Sequence, residues 1–246
     1  MLPDLTLDDP RMIALTGVVA LVAGMLRGFS GFAGPAVMIV VLTQFYSPLS
    51  VLTKVVIIDA MSYPLLVPST VREFNRRVIA IVTLATLAGL PIGTYLLTET
   101  DPVVIKRAIA AVVALSVMVM LTGRRFRATP SIAVHIAVGL LAGVVLGATY
   151  IALVVMIFFF SLPASGAESR ANAVFWGGIL SCALIAGHIA LGNISVDDVW
   201  RSMLLGIVYL AGTGAGVWCF RRTGEREFRR AVLWLLLGLA AIGLVA

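Results

Sequence analysis

The chain has 246 residues, of which 61% are hydrophobic and 12% charged, and its mean hydropathy is +1.08. Soluble domains carry about 25% charged residues, so a water-soluble fold is excluded: twelve acids and eighteen bases could not cover its surface. The net charge of +6 would raise nucleic acid as a partner in a soluble protein; here basic loops that fix membrane orientation explain it, and no nucleic-acid partner is expected.

In chain order, the first ten residues hold Asp4, Asp8 and Asp9 and no Lys or Arg. A cleavable leader starts with a basic stretch, so the first helix is read as retained. A spanning helix needs about 20 mostly apolar residues. Such runs fall at 11–27, 34–46, 50–68, 78–98, 103–122, 131–147, 149–162, 172–192, 199–219 and 229–246. The runs 34–46 and 149–162 are short and read as half-helices or arms of re-entrant hairpins, which need protein or a watery cavity to satisfy their bent backbone. Cys182 and Cys219 lie inside apolar runs without metal-ligand spacing and read as small buried hydrophobes.

The loops sort by charge. One set holds Arg27, Arg72, Arg76, Arg77, Arg124, Arg125, Arg127, Arg170, Arg221, Arg222, Arg226, Arg229 and Arg230. The other holds Arg11, Lys54, Lys106, Arg107 and Arg201 with most of the acids. The positive-inside rule puts the first set in the cytoplasm and both termini outside. If each short run pairs with its predecessor as a non-crossing hairpin, the main loops keep that orientation.

The chain also repeats itself. Leu87 to Gly93 (LAGLPIG) recurs 123 residues later as Leu210 to Gly216 (LAGTGAG), and Lys106-Arg107-Ala108 as Arg229-Arg230-Ala231. Ala23-Gly24 and Gly28 match Ala142-Gly143 and Gly147 at an offset of 119. Each half has an odd number of crossings, so the second is inverted relative to the first. The expected architecture is an all-α polytopic membrane protein of about 8–10 segments in one membrane domain. Repeat 1 runs from about 11 to 122 and repeat 2 from about 131 to 246, with glycine-broken or re-entrant helices.

The broken segment RGFSGFAGPA (Arg27 to Ala36), the Ser47-Pro48 turn and the second break VLGATY (Val145 to Tyr150) together resemble the TauE/SafE sulfite-exporter family. The resemblance implies a permease of the bacterial cytoplasmic membrane for a small sulfur oxyanion or organosulfonate, such as sulfite or sulfoacetate. Helix N-termini offer free N–H groups and partial positive charge, and glycine admits an anion close to the backbone. The expected substrate-binding residues are therefore Ser30, Gly31 and Phe32 in the first half and Thr149 and Tyr150 in the second, with Ser30 and Thr149 facing each other; the alternative is that the glycines of these breaks only permit close helix packing.

Lys54 and Asp59 sit within one apolar run, where ionisable groups are costly and face the interior. Lys54 either neutralises an anion or snorkels to the interface; Asp59 either carries a proton or pairs with a basic group. Asn172 stands in the second half where Lys54 stands in the first, at the opposite edge of the pathway with Arg170. Arg27 attracts anions or anchors topology. His188 is a packed or interfacial side chain or a titrating one, and His135 a weaker candidate. Trp200, Trp218, Trp234 and Tyr46 fit interface or packing roles.

Without metal spacing, a GxSxG elbow or a phosphate loop, an enzyme is not expected, nor a catalytic residue, metal or cofactor. Alternating-access transport, proton-coupled through Asp59, is the leading expectation, and an anion channel the alternative. The partners expected are the small anion, the lipid bilayer and, as a possible homodimer, a second copy of the chain.

Overall fold

The computed structural model describes residues 10–123, 126, 128–220, 234, 237 and 238. The last expected segment, 229–246, therefore lies outside the described residues apart from those three, as do Arg124, Arg125, Arg127, Arg229 and Arg230. Everything described is helix or connection, with no strand.

The helices are α1 (Pro10–Ser30), α2 (Ala33–Leu42), α3 (Pro48–Ala60), α4 (Tyr63–Leu66) and α5 (Arg76–Glu99). They continue with α6 (Pro102–Leu121), α7 (Ile132–Thr149), α8 (Leu153–Ser161), α9 (Gly166–Ala190) and α10 (Val196–Phe220). Their starts follow local chemistry. Asn75, Asp101 and Ser165 cap α5, α6 and α9 by accepting from the backbone N–H of Val78, Val103 and Glu168. Pro48 and Pro102 occupy first-turn positions, where a missing N–H costs nothing.

Among the described residues seven helices are long and apolar enough to cross a membrane: α1, α3 with α4, α5, α6, α7, α9 and α10. The arms α2 and α8, of 10 and 9 residues, rise only about 14–15 Å against a hydrocarbon core of roughly 30 Å. Both follow a left-handed residue, Gly31 at φ 82° and Tyr150 at φ 57°. Each break is closed by the same bond, from Gly31 N–H to Arg27 O and from Tyr150 N–H to Leu146 O, both 2.8 Å. Gly31 meets this geometry freely, whereas Tyr150 adopts it as a non-glycine residue. The break turns α8 back along α7, and Phe126 N–H, ahead of α7, donates to Ser161 O at the end of α8. The pair α7–α8 is thus a hairpin whose ends lie on one side. At the other break, Gly34 of α2 sits against Ala23 O and the Arg27 side chain of α1.

Two helix pairs carry the closest packing, and both are glycine seams. In α1 against α10, Gly24 and Gly28 abut the carbonyls of Tyr209 and Thr213, while Gly212 and Gly216 abut those of Leu21 and Met25. In α7 against α5, Gly143 and Gly147 abut the carbonyls of Thr86 and Leu90, and Gly89 and Gly93 those of Leu140 and Val144. Both pairs advance in the same sense, so the helices run parallel. Small residues at such seams let backbones close without a hydrophobic drive, which lipid does not supply.

The outer surface is apolar: Leu84 is 68% exposed, Leu204 64% and Val196 75%. The expectation that both cysteines are buried is corrected, since Cys182 is exposed and Cys219 half-buried. Both are tolerated there because lipid solvates a thiol-bearing side chain as it does other small apolar groups. Trp200, Trp218 and Trp234 are exposed and Tyr46 is buried.

A methyl group at Gly143 would overlap Thr86 O, whereas one at Gly214 of α10 meets nothing within 4 Å. Gly143→Ala is expected to lower the melting temperature in detergent, at a cost of about 1–3 kcal/mol from overpacking. Gly214→Ala is expected to leave it unchanged or raise it slightly through helix propensity. Thermal denaturation of the purified variants checks both signs.

Candidate functional site

Where the two breaks meet, a small cavity of about 50 Å³ lies between the halves. Phe32 and Pro35 reach it from the first hairpin, Tyr150 and Leu153 from the second, Asp59 from α3 and Trp176 and Ser181 from α9. Arg27 of α1 also lines it.

Its polar centre is a buried ion pair. Asp59, 6% exposed, receives the fork of Arg27, 4% exposed: Nε lies 3.0 Å from Oδ1, and Nη2 donates to Oδ2 at 3.1 Å. The tyrosines complete the carboxylate shell. Tyr209 Oη donates to Oδ1 at 2.7 Å and Tyr63 Oη to Oδ2 at 3.1 Å. The remaining arm, Arg27 Nη1, donates to Gly31 O at 2.5 Å, and the guanidinium carbon stands 5.1 Å from the Tyr63 ring centroid. Ser181 Oγ donates to Tyr63 Oη at 3.5 Å. A guanidinium matches a carboxylate bidentately, and such a pair survives burial only when its other donors and lone pairs are met. Here one network with groups from α1, α3, α4, α9 and α10 does this for all but Arg27 Nε, which faces Oδ1 as an ion pair without a hydrogen bond.

The remaining expected site residues separate around this centre. Arg27 is neither a loop anchor nor an exposed attractor of anions, because it is sealed against Asp59. Lys54 is buried, and its Nζ lies 2.7 Å from Asp198 Oδ1 and donates to Ser50 Oγ at 3.0 Å. Asn172 is fully buried, and its Oδ1 accepts from Asn75 N–H at 2.8 Å. Thr149 is buried, and its Oγ1 donates to Val145 O and accepts from Ile151 N–H within its own hairpin. The Ser30 side chain lies outside the described residues. Gly31 supplies the carbonyl held by Arg27, while Phe32 and Tyr150 reach the cavity wall. His188 and His135 are both buried.

Sequence reading missed Tyr63, Tyr209, Ser181 and Trp176. Tyr63 follows Asp59 by four residues, one helical turn, and that spacing was a usable signal. Tyr209, 150 residues from Asp59, carried none.

The sequence profile of the family described as Sulfite exporter TauE/SafE matches residues 16–243, nearly the whole chain. The chain belongs to the TauE/SafE family. It is accordingly a multi-pass membrane transporter of sulfite-type anions, and the family consists of transporters rather than enzymes. Neither a curated protein nor a solved structure gives a significant match.

Removing one partner of a buried pair leaves an uncompensated charge. Asp59→Asn in this TauE/SafE protein is expected to cost about 3–5 kcal/mol, while Arg27→Gln with Asp59→Asn recovers most of it. A double-mutant cycle of melting temperatures in detergent measures the coupling; additive effects would show that the pair is not linked.

Proposed function

We propose that this TauE/SafE protein moves sulfite or a small organosulfonate across a bacterial cytoplasmic membrane by alternating access around the Arg27–Asp59 cavity, coupled to a proton on Asp59. The observation that carries the reading is the buried guanidinium at the meeting point of two broken hairpins. It is the charged group lining the cavity that could receive a dehydrated anion, and Asp59 already occupies it.

The exchange follows from charge. While Asp59 is ionised it neutralises Arg27, and an anion entering beside it would be repelled. Protonation removes the carboxylate's charge and leaves its hydrogen-bonding shell of Tyr63 and Tyr209 to hold a neutral acid. Arg27 is then free to pair with the anion. Proton and anion thus occupy the site together, and loading is favoured as pH falls on the side of entry.

Alternating access is supported by the recurrence of contacts between halves. Gly24 meets Tyr209 and Gly143 meets Thr86; the shifts are 143 − 24 = 119 and 209 − 86 = 123, those of the sequence repeat. Lys54 meets Asp198 where Asn172 meets Asn75, with 172 − 54 = 118 and 198 − 75 = 123. Gly31 and Tyr150, both left-handed, differ by 150 − 31 = 119. We read this as duplication with inversion, which gives a transporter two nearly equivalent arrangements open to opposite sides. The basic loops put both termini outside, a placement that an alkaline phosphatase fusion at the C-terminus would report by becoming active.

Radiolabelled sulfite uptake into proteoliposomes, with and without a pH gradient, tests the function. Saturable uptake that rises with an inward proton gradient and is competed by sulfonates is expected. Asp59→Asn should flatten that pH dependence, and Lys54→Ala should leave it in place. A conductance without saturation would favour a channel instead, and no movement of sulfite, thiosulfate or sulfonates would remove the substrate assignment.

A further inference from the structure

A second cavity, larger than the central one at about 700 Å³, lies between the C-terminal parts of α5 and α9. Pro91, Tyr95, Leu191 and Asn193 are among the residues around it, and Leu184 lines both this cavity and the central one. One further contact crosses the same partition. Tyr150, in the wall of the central cavity, packs its ring 5.5 Å from that of His188, which lines the larger one.

These two side chains share an uncommon property. Tyr150 is 5% exposed and His188 1%, yet Tyr150 Oη and His188 Nε2 make no hydrogen bond among the described residues. Buried polar groups are ordinarily paired, and an unpaired one calls for an explanation. Asn193 Nδ2 stands 3.2 Å from His188 Nδ1; with the amide nitrogen donating there, Nδ1 accepts and a neutral ring carries its proton on Nε2. Tyr150 Oη likewise has a proton to give. Two donors with no acceptor therefore stand beside Leu184, one in the wall of each cavity. The other hydroxyls in the central wall differ, for Tyr63 is spent on Asp59 and Ser181 on Tyr63.

We propose that Tyr150 and His188 form a second oxyanion station on the transport path, donating Oη–H and Nε2–H to the anion as it passes Leu184 between the central and the larger cavity. The ligand class is a small oxyanion that accepts hydrogen bonds on several oxygens. Asn193 is a positioning residue, because it acts by setting the histidine tautomer. The proposal rests on the transport reading for its place on a path, but anion binding at these atoms does not.

The test is saturation binding of radiolabelled sulfite to the purified protein in detergent, beside uptake in proteoliposomes. Losing one hydrogen bond to a charged partner weakens binding roughly tenfold or more. Y150F, which removes only the hydroxyl, should raise the dissociation constant and KM for sulfite by about that factor. Glutamine can put an amide N–H near the Nε2 position and asparagine near Nδ1. H188Q should thus recover much of the affinity that H188N loses, an ordering that a packing role for the ring would not produce. Melting temperatures verify folding, and Y150F with H188Q suffices should H188N not fold. Unchanged affinity in Y150F and equal affinities in H188Q and H188N would overturn the station while leaving transport standing. Binding that follows the expected order without uptake would remove the transport reading and keep the station. Absence of any saturable sulfite binding by the wild-type protein would overturn it as well.

Discussion

The placing of one carboxylate against one guanidinium in a low-dielectric interior governs the rest of this structure. Charges cannot be left alone there, so Arg27 and Asp59 oblige α1 and α3 to meet, and the leftover lone pairs of Asp59 draw in Tyr63 and Tyr209. The last free arm of Arg27 is satisfied at Gly31 O. A carbonyl exposed by a break in the helix thus becomes a ligand of the ion pair, and the broken hairpin is tied to the charge centre. A hydrophobic replacement of the pair would be as stable or more so. Retention of the costlier arrangement is understandable if the pair must open, exchanging an internal anion for an external one.

The two halves solve the same packing problem with different chemistry. Glycine seams recur with the same partners, because backbone closeness depends on the absence of Cβ at a few places and tolerates any residue elsewhere. The polar positions have diverged. An ionic link, Lys54 to Asp198, corresponds to a neutral one, Asn172 to the Asn75 backbone. Arg27 corresponds at the offset of 119 to Leu146, and both line the central cavity. The charged groups of the central cavity, Arg27 and Asp59, therefore both come from the first half.

Much of the fold was legible because membranes enforce simple rules. Long apolar runs gave the spanning helices, the shortness of 34–46 and 149–162 marked α2 and α8 as arms, and the recurring glycines marked corresponding positions without naming the helices that close on them. The site was legible only in part. Arg27 looked like a loop residue because it stands beside Gly28 at the end of an apolar run, and the break read at Arg27 to Ala36 did not say which buried acid the arginine would meet. Asp59 was singled out by its cost in an apolar segment, but its partner lies 32 residues away and its second tyrosine 150. Contacts at such distances leave no trace in spacing or composition.

Tyr150 marks where local and global demands part. The equivalent position in the first half is Gly31, which takes the left-handed turn at no steric cost, whereas a tyrosine there carries strain of order 1 kcal/mol or more. Glycine would relieve that strain and remove both the ring against His188 and the hydroxyl at the cavity wall. The first half does without a side chain at its turn because the Arg27 guanidinium stands nearby, hydrogen-bonded to the turn's own carbonyl. The second half has Leu146 in the place of Arg27, and the Tyr150 side chain brings a donor to that wall from the turn itself. The strain at Tyr150 thus accompanies a donor that the Gly31 turn does not carry.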